Sequence, residues 1–256
     1  MAALETKLDV IANNLANVET TAFKKDRANF EDLFYRHEKM PGAQDNSGQY
    51  TPTGIAIGLG SRIASVQSDF TQGAFRETGG ELDLAIEGRG FYQVTDPATG
   101  NTYYTRAGNL SKNASGILVM GSANTGRLLQ PPITIPNDAI AISISADGKV
   151  SVRQPGSQTM TQVGTIELAT FVNPQGLLKL GENLYAETDA SGTATLGNPG
   201  QNGLGVLRQN ALEASNVEPV QELIDLITTQ RSFELNSQAI KAGDDILQTV
   251  ANLRRY

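Results

Sequence analysis

The stretch Met1-Ala2-Ala3-Leu4-Glu5-Thr6-Lys7-Leu8-Asp9-Val10-Ile11-Ala12-Asn13-Asn14-Leu15-Ala16-Asn17-Val18 spaces Leu4, Leu8, Ile11, Leu15 and Val18 alternately by four and three residues. That spacing is a heptad seam, one apolar stripe along one side of a helix. Glu5, Asp9, Asn13 and Asn17 fall on the opposite face. A helix of this length is marginal in water on its own, so it requires a partner. The far end of the chain offers one. Leu226, Phe233, Ile240 and Leu247 recur at intervals of seven, flanked by Ala239, Ile246 and Leu253 and widened by Val250. This pattern begins near Asn216, with Ser215 or Asn216 as the expected N-cap and Pro219 tolerated in the first turn. Arg231, Glu234, Lys241 and Asp245 read as solvated or rim positions, and Arg254 and Arg255 put cations where a helix dipole favours them.

Between the two helices the chain reads as β structure. Phe91-Tyr92-Gln93-Val94, Ile140-Ala141-Ile142-Ser143-Ile144 and Thr165-Ile166-Glu167-Leu168-Ala169-Thr170-Phe171 are short apolar runs bounded by Gly, Pro, Asn and Asp. Asp147-Gly148 and Ser191-Gly192 are turn signals. Residues 141–145 alternate and are expected to lie half-buried on one sheet face. No segment long enough for a helical crossover separates these strands, so the pairing is expected to be antiparallel. The fold class is therefore mainly β with α termini: an antiparallel β domain plus N- and C-terminal helices. From about His37 to Gly60 a different kind of segment intervenes, Met40-Pro41-Gly42-Ala43-Gln44, Gln49-Tyr50-Thr51-Pro52-Thr53-Gly54 and Ile55-Ala56-Ile57-Gly58-Leu59-Gly60. A loop of this length inside a domain is commonly functional, and this one reads as an extended arm.

Composition removes most chemistry. The 256 residues include no Cys, no Trp and a single His, which is His37. Disulfides, thiolate metal sites and cysteine nucleophiles are excluded, and no cofactor or metal is expected. A formal charge of −7 argues against a nucleic-acid partner and against an anionic membrane surface. No window approaches the run of apolar residues that a membrane-spanning helix needs, and no basic, then apolar, leader opens the chain. Apolar residues make up 39% and Gly numbers 26, which favours turns and short strands. Two helices flanking a β body could form a clip that closes one domain, as in a secreted β-rich binding module. However, Asn13, Asn14, Asn17, Gln230, Asn236 and Gln238 sit near the seams. Polar groups there cost stability but specify register and partner, which suits a repeating lattice better than a closed core.

Leu8-Asp9-Val10-Ile11-Ala12-Asn13-Asn14-Leu15-Ala16-Asn17-Val18, continuing into Thr20-Thr21-Ala22-Phe23-Lys24, resembles the N-terminal signature of the flagellar basal-body rod and hook protein family. Leu212-Glu213-Ala214-Ser215-Asn216-Val217, Glu222-Leu223 and Gln230-Arg231-Ser232-Phe233-Glu234-Leu235-Asn236-Ser237 resemble its C-terminal signature. Pro41-Gly42-Ala43-Gln44 and Pro52-Thr53-Gly54-Ile55-Ala56-Ile57-Gly58-Leu59-Gly60 resemble the extended segment of the distal rod branch, with a proximal rod or hook-type subunit as the alternative. The central blocks at 85–94, 104–108 and 180–185 fit as well, so the resemblance covers essentially the whole chain.

The resemblance implies a structural subunit of a helical homo-oligomer rather than an enzyme. It divides the chain into a helical inner-tube domain (1–36 and 216–256), an extended segment (37–70) and a β-rich outer domain (71–215). It further implies that the terminal helices pair as a coiled coil on assembly and that the extended segment wedges between neighbours to stiffen the shaft. The implied partners are proximal rod proteins, hook protein, ring bushing proteins and the flagellar type III export apparatus, with export needing no cleaved signal. Members of the family carry a further helical stretch ahead of this segment, so the expectation is either a short first helix or a start assigned late.

Sharper chemical readings are weaker. Gly88-Arg89-Gly90 has no following Lys-Ser/Thr and reads as a turn rather than a phosphate cradle. Glu77, Glu81, Asp83 and Glu87 lie in a Gly-rich stretch without an aromatic platform and read as a solvated turn, not a carboxylate pair across a cleft. His37 has no companion for a triad and reads as a surface or loop contact. The sequons at Asn109 and Asn113 carry no weight.

The seam yields a first prediction. Leu226→Asp or Phe233→Asp should abolish polymerisation while the far-ultraviolet circular dichroism of the β body persists, because the charge disturbs the helix stripe and not the β core. Collapse of the β signal would contradict it.

Overall fold

The computed structural model describes residues 1–42, 44, 49–50, 52–121, 126–156 and 159–253, and in it the chain divides into two compact units. The first comprises Met1–Ala16, Asp26–Ser68 and Glu218–Tyr256. It holds helix α1 (Ala2–Ala16), strands β1 (Asp26–Asp32), β2 (Tyr35–Lys39), β3 (Ile55–Gly58) and β4 (Ser61–Ser68), and helix α2 (Pro219–Leu253). Strand β1 pairs antiparallel with β4 from Asp26↔Ser68 to Asp32↔Ser61, with a bulge at Asn29/Phe30. Strands β2 and β3 form a separate antiparallel ribbon. At 1.5 Å per residue, α1 is roughly 22 Å long and α2 roughly 52 Å. Helix α1 packs against α2, β1 and β4.

The second unit comprises Asn17–Lys25 and Asp69–Val217 and is built almost wholly of short strands. In chain order these are β5 (Phe75–Glu77), β6 (Leu84–Glu87), β7 (Phe91–Thr95), β8 (Thr102–Thr105), β9 (Leu110–Lys112), β10 (Leu118–Met120), β11 (Arg127–Gln130) and β12 (Ala141–Ile144). They continue with β13 (Lys149–Arg153), β14 (Thr161–Thr165), β15 (Leu168–Thr170), β16 (Leu178–Gly181), β17 (Leu184–Ala186), β18 (Thr195–Gly197), β19 (Val206–Gln209) and β20 (Ala211–Glu213). A nine-stranded sheet runs β16-β17-β8-β7-β11-β10-β9, with β15 on β7 and β18 on β15. One edge of β7 is thus shared, Gln93 to Thr95 facing β11 and Phe91 and Tyr92 facing β15. A three-stranded sheet β12-β13-β14 and the pairs β19-β6 and β20-β5 complete the unit. Every pairing among these strands is antiparallel, as the lack of crossover segments requires.

The core of this unit gathers Leu84, Ile86, Tyr92, Val94, Leu118, Leu129, Val150, Val152, Ile166 and Leu168. A smaller cluster holds Phe91, Tyr104, Phe171 and Tyr185, with Phe70 against it. In the alternating stretch 141–145, Ile144 is buried, Ile142 packs at the core margin, and Ala141 and Ser143 are half-buried. The turn at Asp147-Gly148 joins β12 to β13, and Gly148 has φ +86, the left-handed region that favours glycine.

Two segments from opposite ends of the chain are built into this unit side by side. Lys24 and Glu213 have fully buried side chains and meet at 2.7 Å, and the other oxygen of Glu213 takes a 2.9 Å bond from Arg106 Nε. Lys24 Nζ also donates to Thr71 O, and the Gly73 amide donates to Glu213 Oε1. Through its two terminal nitrogens Arg106 donates three more bonds, to the carbonyls of Ile86, Gly88 and Gly90. Backbone bonds Ala22 N to Glu213 O and Ala214 N to Ala74 O lie alongside, and a Cβ on Gly73 would stand 2.1 Å from Ala214 O. Burial pushes the Lys24 ammonium below its ordinary pKa, against the pull of Glu213 upward.

Asn216 departs from the N-cap role. Its Oδ1 accepts the Lys25 amide, and its Nδ2 donates to Asp69 O, Thr71 O and Thr71 Oγ1. The helix starts at Pro219 instead, where a missing amide hydrogen is harmless. Glu213→Gln should leave two buried cations short of a counter-charge and destabilise the β unit by about 3–5 kcal/mol. Urea unfolding followed by circular dichroism would read this, and an unchanged midpoint would refute it.

Candidate assembly surfaces

The helix seams meet only in part. In α1, Ile11 is buried while Leu4, Leu8 and Leu15 are half-buried. The helix ends at Ala16, so Val18 lies in the following turn. Asn14 is buried and tightly used: its Oδ1 accepts the Asp26 amide at 2.9 Å, and its Nδ2 donates to Asp26 O and to Glu222 Oε2. One side chain therefore sets the register of α1 against both β1 and α2. Asn13 is exposed, and Asn17 accepts from Thr20 Oγ1.

Along α2, Leu226 and Phe233 are half-buried and Thr229 is buried, while Gln230 and Arg231 are exposed. Beyond them the helix is bare. Every residue from 238 to 252 is exposed, including Ile240 at 54% and Leu247 at 68%. Ile246 and Val250 widen this uncovered stripe. The exposed pair Arg231–Glu234, at 3.5 Å, adds little to such a helix.

The extended segment forms a ribbon whose described strand residues are all exposed. Tyr35 pairs with Gly58, Arg36 with Ile57, His37 with Ala56 and Lys39 with Ile55, and every residue of both strands is exposed. Pro41 and Gly42 continue it, Gln44 bridges Tyr50, and Pro52 and Gly54 return the chain. Ala43 lies outside the described residues. A Cβ on Gly54 would stand 2.6 Å from Lys39 O, so the return path passes close to the outgoing strand. Exposed Tyr35, Met40, Tyr50, Ile55, Ile57 and Leu59 give the ribbon an apolar surface. An isolated two-stranded hairpin is marginal in water.

The chemical candidates resolve into structure. The carbonyls of Gly88 and Gly90 point at Arg106, so that bend receives a cation rather than presenting amides to a phosphate. Glu77 pairs with Arg208 on the surface and Asp83 accepts from Thr78. His37 is an exposed ribbon residue. Asn113 folds onto the amides of Ser115 and Ile117. Among the described residues no group of His, Asp and Glu is arranged to hold a metal. Among the described residues no helix is long and apolar enough to cross a membrane.

Sequence reasoning passed over Lys24, Arg106 and Glu213 as determinants of the β unit. A signal was present for Glu213, one charge set among apolar neighbours in Ala211-Leu212-Glu213-Ala214, whereas Lys24 is followed by Lys25, Asp26 and Arg27 and does not stand out. The block at 180–185 and Lys179 just before it have a related task. Asn183 donates to Thr21 O, and Lys179 lies 4.5 Å over the Phe23 ring while donating to Lys24 O.

Comparison with known proteins locates the same segments. Residues 1–24 match the model for the flagella basal body rod protein, residues 85–152 the flagellar hook protein FlgE/F/G D1 domain, and residues 208–253 the flagellar basal body rod FlgEFG protein C-terminal. The chain is 45% identical over 255 residues to the flagellar basal-body rod protein FlgG of Caulobacter vibrioides, covering 99% of this chain and 96% of that one. It is 43% identical to the FlgG of Agrobacterium fabrum, with 98% and 95% covered. With the FlgG of Bacillus subtilis it shares 41% identity, with 100% and 96% covered.

Proposed function

The chain belongs to the flagellar basal-body rod protein family, as a structural subunit of the distal rod and not an enzyme, and from that membership we propose how its surfaces build a drive shaft. Copies stack into a helical tube that transmits motor torque to the hook. The helical parts, 1–36 and 216–256, form the inner tube, 71–215 forms the outer one, and 37–70 lies between neighbours. Leu4, Leu8, Ile11 and Leu15 with Leu226 and Phe233 close the seam within a copy, and Ile240 and Leu247 continue it to the next copy.

The bare second half of α2 carries this reading. Fully burying one Leu or Ile is worth about 1.5–3 kcal/mol. Ile240, Ile246, Leu247 and Val250 together hold enough apolar surface to drive association once a neighbouring helix covers them. Asn13, Asn14, Leu15, Ala16 and Asn17, with Gln230 and Arg231, set the register of that packing, since polar seam positions select among alignments. Pro41, Gly42, Ala43, Gln44, Pro52 and Gly54 shape the stiffening ribbon, whose apolar surface calls for a neighbour.

The chain works in the basal-body rod together with other rod proteins. In the fuller picture the rod crosses the periplasm and the outer-membrane ring, contacts proximal rod proteins, hook protein and ring bushing proteins, and is built from subunits delivered by the type III export apparatus without a cleaved signal peptide. The terminal helices order fully on assembly.

Two variants test the picture by electron microscopy of purified basal bodies and of polymerised protein. Ile240→Asp or Leu247→Asp should give a chain whose stability changes by no more than about 0.5 kcal/mol but which forms no shaft. Normal shafts from either would remove the seam assignment. Deleting residues 44–54 should give shafts that assemble and bend, and straight shafts would remove the stiffening role.

A further inference from the structure

Phe34 is 91% exposed in the bend between β1 and β2. It is not a loose tip, because the Leu33 amide bonds Gly60 O at 2.9 Å and fixes the base of the bend. In the second unit a half-open cavity of about 410 Å³ has Phe70, Phe91 and Phe171 in its wall. These rings meet edge-on, Phe70 to Phe91 at 5.5 Å and Phe91 to Phe171 at 5.7 Å. The cavity is also lined by Val172, itself 91% exposed, and by Arg89, which has no ion pair among the described residues.

We infer that Phe34 of one copy inserts into the Phe70–Phe91–Phe171 cavity of a second copy. Its own chain leaves the ring in solvent. The charges agree: of the two acids just before Phe34, Glu31 is held by Arg62, while Asp32 has no ion pair among the described residues and can face the Arg89 that the cavity presents. Asp69, an acidic group in the same lining, already accepts the Thr71 amide. A ring packed edge-on into an aromatic set gains beyond its area. Knob and hole belong to different units of the chain, and head-to-tail contacts of this kind propagate as an open helical polymer when they do not close a ring. The inference rests on the reading of this chain as a rod subunit and names which surfaces meet.

The absence of cysteine and tryptophan makes the test clean. Phe34→Cys chains are mixed with Val172→Cys chains, polymerised, and treated with a short bis-maleimide. A covalent dimer is expected from this mixture and not from Phe34→Cys with Leu196→Cys. Shafts that form without the 34–172 dimer overturn the inference while leaving the rod reading intact. If wild-type chains form no shafts at all, both fall. Phe34→Trp supplies a second readout. Its emission should shift to the blue on polymerisation and stay unshifted when Val172→Asp is added, and unshifted emission in shafts of Phe34→Trp alone overturns the inference. Phe34→Ala should raise the concentration needed for polymerisation by about tenfold or more.

Discussion

The carboxylate of Glu213 is the constraint on which the β unit depends. It is fully buried and faces two cations, Lys24 and Arg106, plus the Gly73 amide. Burying three charges together is costly, and an apolar trio of similar volume could match it in stability. What an apolar trio could not do is accept and donate in so many directions. Arg106 reaches three carbonyls of the β6–β7 bend, and Lys24 reaches Thr71 O. Losing any one charge leaves the others without compensation, so the cluster specifies how residues 17–25, 69–73 and 211–217 lie together more than it adds stability.

The two units handle their apolar surface in opposite ways. The β unit keeps Leu84, Ile86, Val94, Leu129 and Ile166 out of water and closes its turns with Gly, Asn and Asp. The helical unit leaves Phe34, Tyr35, Ile57, Ile240 and Leu247 in solvent. Contiguous exposed apolar surface of this kind marks contact sites. Within the helical unit Asn14 pins α1 to β1 and α2, while residues 238–252 of α2 run on uncovered.

Local pattern carried far in reading this chain. Period-seven apolar residues gave both helices, because helix geometry is local and repeats along the chain. Antiparallel short strands followed from the turn residues and the lack of crossovers. The start of α2 was misplaced because Asn216 looks like a cap from its neighbours alone, while its partners, Lys25, Asp69 and Thr71, are distant in sequence. The β2–β3 ribbon was legible as an extended arm but its strand register was not, since it has no buried face to impose an alternating pattern. The Glu213 cluster and the exposed Phe34 were illegible for a common reason. Both acquire meaning from what surrounds a side chain, and that is settled by long-range packing.

The bond between Lys24 and Glu213 spans 189 positions of the chain. Closing a loop of that length costs more chain entropy than a contact between near neighbours. Whichever of residues 24 and 213 is available first, the β unit cannot be completed until the other joins it. The molecule thereby carries its own clock. Residues 17–25 and 69–217 become a finished building block only when both ends are present in the same place.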